Sequence, residues 1–438
     1  MRLLPLVVLA PLLVGCTADA PPSPDASVRP TATEPSATPS DDPPDAIRTE
    51  PLAPQAYTLT LADLPEPYAT ESARKGPNVV DVPADPVLFV PEGFRVNVFA
   101  DGLDQPRWLA LTPEGDVLVT ETRENRIRRL RDTDGDGAAD DRSTFADAAN
   151  GLDIPFGMAF ADGSFFLGNS AEVRRYAYAG GALDGRGERI AELPGGGYNQ
   201  HWTRNVVASP DGEHLFVSIG SASNADPEPL PRASVQRMRL DGSEQTTFAS
   251  GLRNPVGLAF HPQTGALYTT VNERDRLGDG LVPDYLTRIQ QDEFYGWPYA
   301  YLTPDNLDPR LTDEGRSQRP DLAAQTVTPD VLFEAHSAAL GLQFYDGTQF
   351  PERYRRGAFV AHRGSWNRSQ GVGYKLVFVP FADGRPTGGY EDFLTGFLTD
   401  PSGPTTWGRP VGVLVLPDGS LLFTEEMNGR IYRVSFGE

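Results

Sequence analysis

Apolar and polar positions along this chain fall into a repeated block: an apolar strand, a turn of Pro, Asp and Gly, then a second apolar strand. The copies are Trp108-Leu-Ala-Leu before Pro113-Glu-Gly-Asp, Gly157-Met-Ala-Phe before Ala161-Asp-Gly, and Val206-Val-Ala before Pro210-Asp-Gly. Gly257-Leu-Ala-Phe before Pro262-Gln-Thr-Gly, Gly341-Leu-Gln-Phe-Tyr before Asp346-Gly, and Gly412-Val-Leu-Val-Leu before Pro417-Asp-Gly complete the set. Short strands with turn glycines at a period of roughly 50 residues read as propeller blades rather than as a sandwich. The expected fold is all-β, a six-bladed β-propeller over residues 81–438, with insertions in the later repeats.

A ring of sheets leaves unpaired edges unless its first and last blades join. Phe94-Arg-Val-Asn-Val-Phe-Ala100 precedes the first repeat and alternates like a strand. It is expected to supply the outer strand of the last blade, which ends in Arg430-Ile-Tyr-Arg-Val-Ser-Phe436; the alternative is a degenerate seventh blade. The repeated turns occupy one face of the disc. The starts of the first strands and the ends of the second strands therefore meet on the opposite face. They bring together Arg107, His201, Arg204, Arg253-Asn254, His336, His362-Arg363 and Arg409.

The N-terminus reads differently. Residues 1–15 are a short basic-then-apolar signal, and Leu13-Val-Gly-Cys16 resembles a bacterial lipobox, so Cys16 is the expected site of lipidation. It is the sole cysteine, so no intramolecular disulfide can form. From Cys16 to about residue 80 the chain reads as a linker. Its Pro/Ser/Thr/Asp-rich part has too little apolar surface to offset ordering entropy and is expected to be a disordered tether. The expected location is the cell envelope: exported, and lipid-anchored on the periplasmic side of the inner or outer membrane or at the cell surface. The anchor is the only membrane contact expected.

Net charge is −22, from 60 acidic and 38 basic residues, which argues against a nucleic-acid partner. Arginines gathered on one face of so acidic a chain point to a bound anion, since the guanidinium forms bidentate bonds to carboxylate or phosphate. For Arg253 and Arg107 a purely structural latch is the competing reading. His201, at a strand start within that face, is the candidate general base. His336 and His362 are weaker candidates. Asp132, Asp134, Asp136 and Asp140 match an acidic loop that wraps calcium through alternate oxygens, though without the closing Glu or the flanking helices of an EF-hand. There is no Gly-x-Ser-x-Gly elbow, P-loop, dinucleotide fingerprint or zinc-spaced His/Cys set.

Several motifs together carry a family resemblance: His201-Trp-Thr-Arg-Asn205, Gly251-Leu-Arg-Asn-Pro-Val-Gly257, Val271-Asn-Glu-Arg-Asp275, Tyr295-Gly-Trp-Pro298, His362-Arg-Gly-Ser-Trp-Asn367 and Trp407-Gly-Arg-Pro-Val-Gly412. Over about residues 64–437 the chain resembles the sorbosone dehydrogenase-like proteins and the soluble quinoprotein glucose dehydrogenases. The resemblance implies a six-bladed propeller that binds pyrroloquinoline quinone (PQQ) beside calcium and oxidises a sugar hydroxyl or hydrated aldehyde. Electrons would pass to an acceptor, a quinone or a cytochrome. It implies His201 as the base, and Arg253, Asn254, Arg363, Arg409, Asn224, His336 and His362 around the cofactor. Where the glucose dehydrogenases have a lysine, this chain offers His362 or Arg363. Two other readings stand beside it. One is a calcium-dependent sugar lactonase using Glu121, Asn169, Asn272 and Glu425, and the other is a binding propeller for an acidic glycan or peptide.

Overall fold

Each repeat forms the inner hairpin of a sheet. The structure is a computed structural model that describes residues 45–195 and 201–437. Among the described residues are six sheets of at least four strands, beginning with Pro106–Leu111, Met158–Ala161, Val206–Ala208, Pro255–Phe260, Ala339–Phe344 and Pro410–Val415. Each of these first strands packs against that of the next sheet, and Pro410–Val415 packs back on Pro106–Leu111, giving a closed β-propeller ring. The repeat glycine permits this approach. A Cβ at Gly412 would stand 2.3 Å from the Arg107 carbonyl oxygen of the neighbouring blade. Thr424 takes up that same carbonyl, its hydroxyl donating at 2.7 Å.

The expected closure is present. Phe94–Ala100 pairs antiparallel with Arg430–Phe436, with Phe94 opposite Phe436 and Val96 opposite Val434. The linker expectation is corrected in its second half. Ala46–Pro51 adds to Phe94–Ala100 and runs parallel to Val87–Val90. Ala56–Tyr57 pairs with Tyr390–Leu394, and Asn78–Val79 with Thr405–Thr406. Few apolar side chains are needed, because an open sheet edge supplies backbone hydrogen bonds to any extended segment. Those present are used: Ile47 packs on a core cluster, and Tyr57 stacks on Tyr390 at 4.8 Å. The signal segment, Cys16 and residues 17–44 of the expected tether lie outside the described residues.

Apolar side chains fill the wedges between blades, and Trp108, Phe156, Val256, Leu340 and Val411 close the axis. The long interval in the fourth repeat is an insertion between Pro283–Ile289 and Val331–Ala335, carrying the hairpin of Ala300–Tyr301 and Thr303–Leu307. Arg274 pins it down. Wholly buried, its guanidinium donates to the Pro298 and Ala300 carbonyls and to the carboxylates of Glu273 and Asp308.

Candidate active site

The strand-start face holds a cavity of about 350 Å³ above the apolar plug, with Val256, Leu340 and Trp202 in its floor. Strand pairing builds it as expected. Pro106 stands opposite Glu121, Ala339 opposite His362, and Pro410 opposite Glu425, so strand starts and strand ends share one level.

His201 lines this cavity with a backbone φ of 54°, a left-handed conformation uncommon for histidine. Buried Arg204 fixes it, donating to the His201, Thr203 and Pro194 carbonyls. Opposite lies Gly220, where a Cβ would come within 2.5 Å of His201 Cβ and 2.6 Å of Asn254 Oδ1. The tautomer follows from the neighbours. Ser221 Oγ donates to the Ser223 carbonyl at 2.6 Å, so towards His201 it can only accept. His201 Nδ1 lies 2.9 Å from both Ser221 O and Ser221 Oγ. Facing two acceptors, Nδ1 carries the proton, and Nε2 keeps its lone pair. Burial, then the positive charge of Arg253, hold the imidazole well below its usual pKa. At neutral pH it is an unprotonated base.

Four arginines line the cavity: Arg107, Arg253, Arg276 and Arg363. They are not equivalent. Arg253 donates to Asp275 Oδ2 at 3.0 Å, to Asn224 through both its Oδ1 and its carbonyl, and to the Asn272 carbonyl. Asn224 in turn donates to the Asp275 carbonyl, so these two residues mainly latch neighbouring loops. Arg107 and Arg363 share one carboxylate, Glu426, which leaves that trio with a net positive charge. Among the described residues Asn254 Oδ1 and Thr203 Oγ1 are buried without a hydrogen-bond partner, and both residues line the cavity. His336 also lines it as a support, with Nε2 against the Gly278 carbonyl and Nδ1 beside Asn367 Nδ2.

Two expectations are corrected. Arg409 does not reach the cavity. It is buried over Tyr374 and donates to the Arg363 and Gly364 carbonyls, so it supports the loop that carries Arg363. His362 is enclosed between Phe333 and Tyr390, with its ring centroid 4.6 Å from that of Phe333. Strand alternation turns it into the blade and leaves Arg363 as the residue facing the cavity. Sequence reading gave no role to four further lining residues: Trp366, Asn367 and Arg276, which come from loops with no periodic signal, and Asp284, at the start of the strand Pro283–Ile289. Asp284 is buried, and desolvation pushes it up to about 7 although two backbone N–H groups donate to it.

The acidic loop lies elsewhere. Carboxylate oxygens of Asp132, Asp134 and Asp136 all lie within 4.8 Å of one another. Asp140 is not among them, because both its oxygens accept from Thr133. The Gly137 carbonyl accepts from Asn97, which ties the loop to the closing strand. The residues considered for a lactonase metal do not converge: of the four, Asn272 alone lines the cavity, its amide donating to the Ala339 carbonyl. Glu121 is taken up by Arg126, Arg128 and the Asp104 N–H. Asn169 bridges Asp153 and Gly151, and Glu425 accepts three backbone N–H groups.

The shared carboxylate makes a pH test. Burial would raise the pKa of Glu426, but Arg107, then Arg363 and Arg409, outweigh it and hold it at about 2. A carboxyl depressed from 4.5 to about 2 contributes roughly 3 kcal/mol that is present above pH 4.5 and lost towards pH 2. The stability gap between the natural chain and Glu426→Gln should therefore be large at pH 7 and shrink steadily from pH 5 to pH 3 in urea titrations. A gap independent of pH would contradict the arrangement.

Comparison with known proteins agrees with this picture. A protein of Borreliella burgdorferi is 27% identical over 370 residues, covering 80% of this chain and 91% of that protein. The pyrroloquinoline quinone-dependent pyranose dehydrogenase of Coprinopsis cinerea is 25% identical over 404 residues. That match covers 78% of this chain and 54% of the fungal enzyme, so the chain spans about half its length. The calcium structure of the Trichoderma reesei carbohydrate-active family AA12 protein shares the fold at a TM-score of 0.68 and 21% identity, over 82% of this chain and 99% of that one. The sequence profile of the TrAA12-like family matches residues 88–293 and 308–436, from beside the closing strand to the last strand of the ring, and the chain belongs to that family.

Proposed function

We propose that this chain is a six-bladed, PQQ-dependent sugar dehydrogenase with His201 as its general base. The observation that carries the reading is the His201 tautomer: a neutral imidazole with Nε2 free, in a cavity lined by arginines. The pyranose dehydrogenase activity of the Coprinopsis cinerea relative supports it. The residues fit the cofactor. A flat tricarboxylate needs several cations and polar groups without partners, and the Arg107–Arg363 pair, Asn254 and Thr203 supply them. PQQ, when bound, would supply a two-electron acceptor for the hydride of the sugar carbon. His201 accepts the proton of the sugar hydroxyl or hydrated aldehyde at Nε2. The new charge on the ring is stabilised through Nδ1–H by Ser221. The test is reconstitution with PQQ and calcium, followed by dye reduction over a panel of sugars. The reading expects a bound-quinone absorption band and sugar-dependent dye bleaching; quinone that fails to bind overturns it.

The lactonase reading is not favoured, because Glu121, Asn169 and Glu425 close strand turns rather than surround the axis. Calcium belongs, in our reading, in the loop of Asp132, Asp134 and Asp136. An ion that binds only the folded chain adds about 2.7 kcal/mol at a hundredfold excess over its Kd. EDTA should accordingly lower the unfolding midpoint, and Asp134→Asn should remove that response. A midpoint indifferent to both calcium and EDTA would contradict the site. Export and acylation at Cys16 are likewise proposed from the lipobox alone. A Cys16→Ser variant should leave the membrane fraction, and one that stays there after a salt wash would contradict the anchor.

A further inference from the structure

We infer that the substrate is an anionic saccharide, its carboxylate held by Arg276 and Arg74 beside the indole of Trp366; this rests on the sugar dehydrogenase reading. A second cavity, of about 290 Å³, shares Asp275, Arg276, Trp366 and Asn367 with the first and adds Arg74. The His201 cavity thus opens into an outer lobe.

The arginines of that lobe differ from the others. Arg107, Arg253 and Arg363 each bond a carboxylate within the chain. The side chains of Arg276 and Arg74 are exposed and make no hydrogen bond or ion pair among the described residues. Asp275, the carboxylate that lines both cavities, is already engaged, its Oδ2 accepting from Arg253 and its Oδ1 from Asn367. Two guanidinium groups without an ion-pair partner among the described residues, at one mouth, stand out in a chain of net charge −22.

The backbone holds both in place. Arg276 has φ of 72°, a left-handed conformation that a side chain of its size adopts at a cost. Arg74 rides on a segment docked to the same loop: Ser72 Oγ accepts the Gly278 N–H at 3.1 Å and Thr70 Oγ1 the Asp279 N–H at 2.8 Å. Trp366 is 40% exposed between the two cavities. An exposed indole offers an apolar face to the C–H side of a pyranose ring. A guanidinium pair suits a carboxylate, whereas neutral hydroxyls are served as well by amides. Together the three describe a site for a uronic acid or another acidic sugar.

The test uses full-length protein loaded with dithionite-reduced PQQ, which cannot turn over, titrated with galacturonate and with galactose. One charge-assisted contact is worth about 10–100-fold in affinity, so galacturonate should bind at least tenfold more tightly than galactose at low salt. The preference should collapse in the double variant Arg74→Gln/Arg276→Gln and weaken as salt is raised, as expected for an exposed ion pair. In steady state the oxidised enzyme should show the same preference as a lower KM for the acid. Equal affinity for both sugars, or a preference that survives the double variant, overturns the inference. So does a double variant that weakens PQQ loading instead, since both arginines would then serve the cofactor. Failure of the underlying reading looks different: galacturonate binds in an arginine-dependent way, yet no sugar reduces the loaded quinone.

Discussion

Replacing Arg274 with methionine is expected to destabilise the protein by about 3–5 kcal/mol, as removal of one partner of a buried ion network does. The guanidinium is completely enclosed and answers four acceptors: two carbonyls of the inserted segment and the carboxylates of Glu273 and Asp308. Methionine fills similar volume and so separates charge from packing. Without the arginine, Glu273 keeps a buried charge whose other oxygen, Oε1, already lacks a partner among the described residues. Arg310 still reaches Asp308, so the damage should centre on Glu273. Adding Glu273→Gln to Arg274→Met should recover part of the loss, a coupling a double-mutant cycle reads directly. Urea unfolding of the four proteins checks it. Because Glu273 and Asp275 both line the cavity, the single variant should also load PQQ more weakly. A loss below 1 kcal/mol would mean that the insertion is held by something else.

His201→Ala should lower turnover by about 10²–10⁴-fold, the usual contribution of a positioned general base, while PQQ still binds. The pH dependence gives the sharper form. A base whose pKa is held well below 6.5, by burial and then by Arg253, stays unprotonated as pH falls through neutrality. For the natural chain kcat/KM should therefore be flat across neutral pH and drop only on the acid side of 6.5. Arg253→Met removes one of the causes and should shift that drop to higher pH. Ser221→Ala, which takes away one of the two acceptors of Nδ1–H, should lower the rate far less than His201→Ala.

The repeats made the ring legible because each blade must bury two apolar faces and turn sharply at its glycine. The start of a first strand has one place to go, so His201 and Arg253-Asn254 could be set at the cavity from spacing alone. What a charged residue does there was not legible. Arg253, Arg363 and Arg409 look alike in sequence, yet one latches two loops, one faces the cavity and one supports its neighbour from behind. The difference lies in acceptors far away in the chain, such as Glu426 and the Gly364 carbonyl. Arg276 and Trp366 sit in aperiodic loops, and Arg74 in a segment that reads as linker because edge pairing leaves almost no side-chain pattern. Asp132, Asp134 and Asp136 meet because their local turn determines it, whereas Asp140 turns to Thr133.

Whether His201 takes the substrate proton in a cavity that holds PQQ is decided by single-turnover quinone reduction by sugar, followed by absorbance in natural and His201→Ala protein, each saturated with PQQ and calcium. Equal quinone loading and a reduction rate about 10²–10⁴-fold slower are expected in the variant. Equal loading with an unchanged reduction rate would contradict that role of His201.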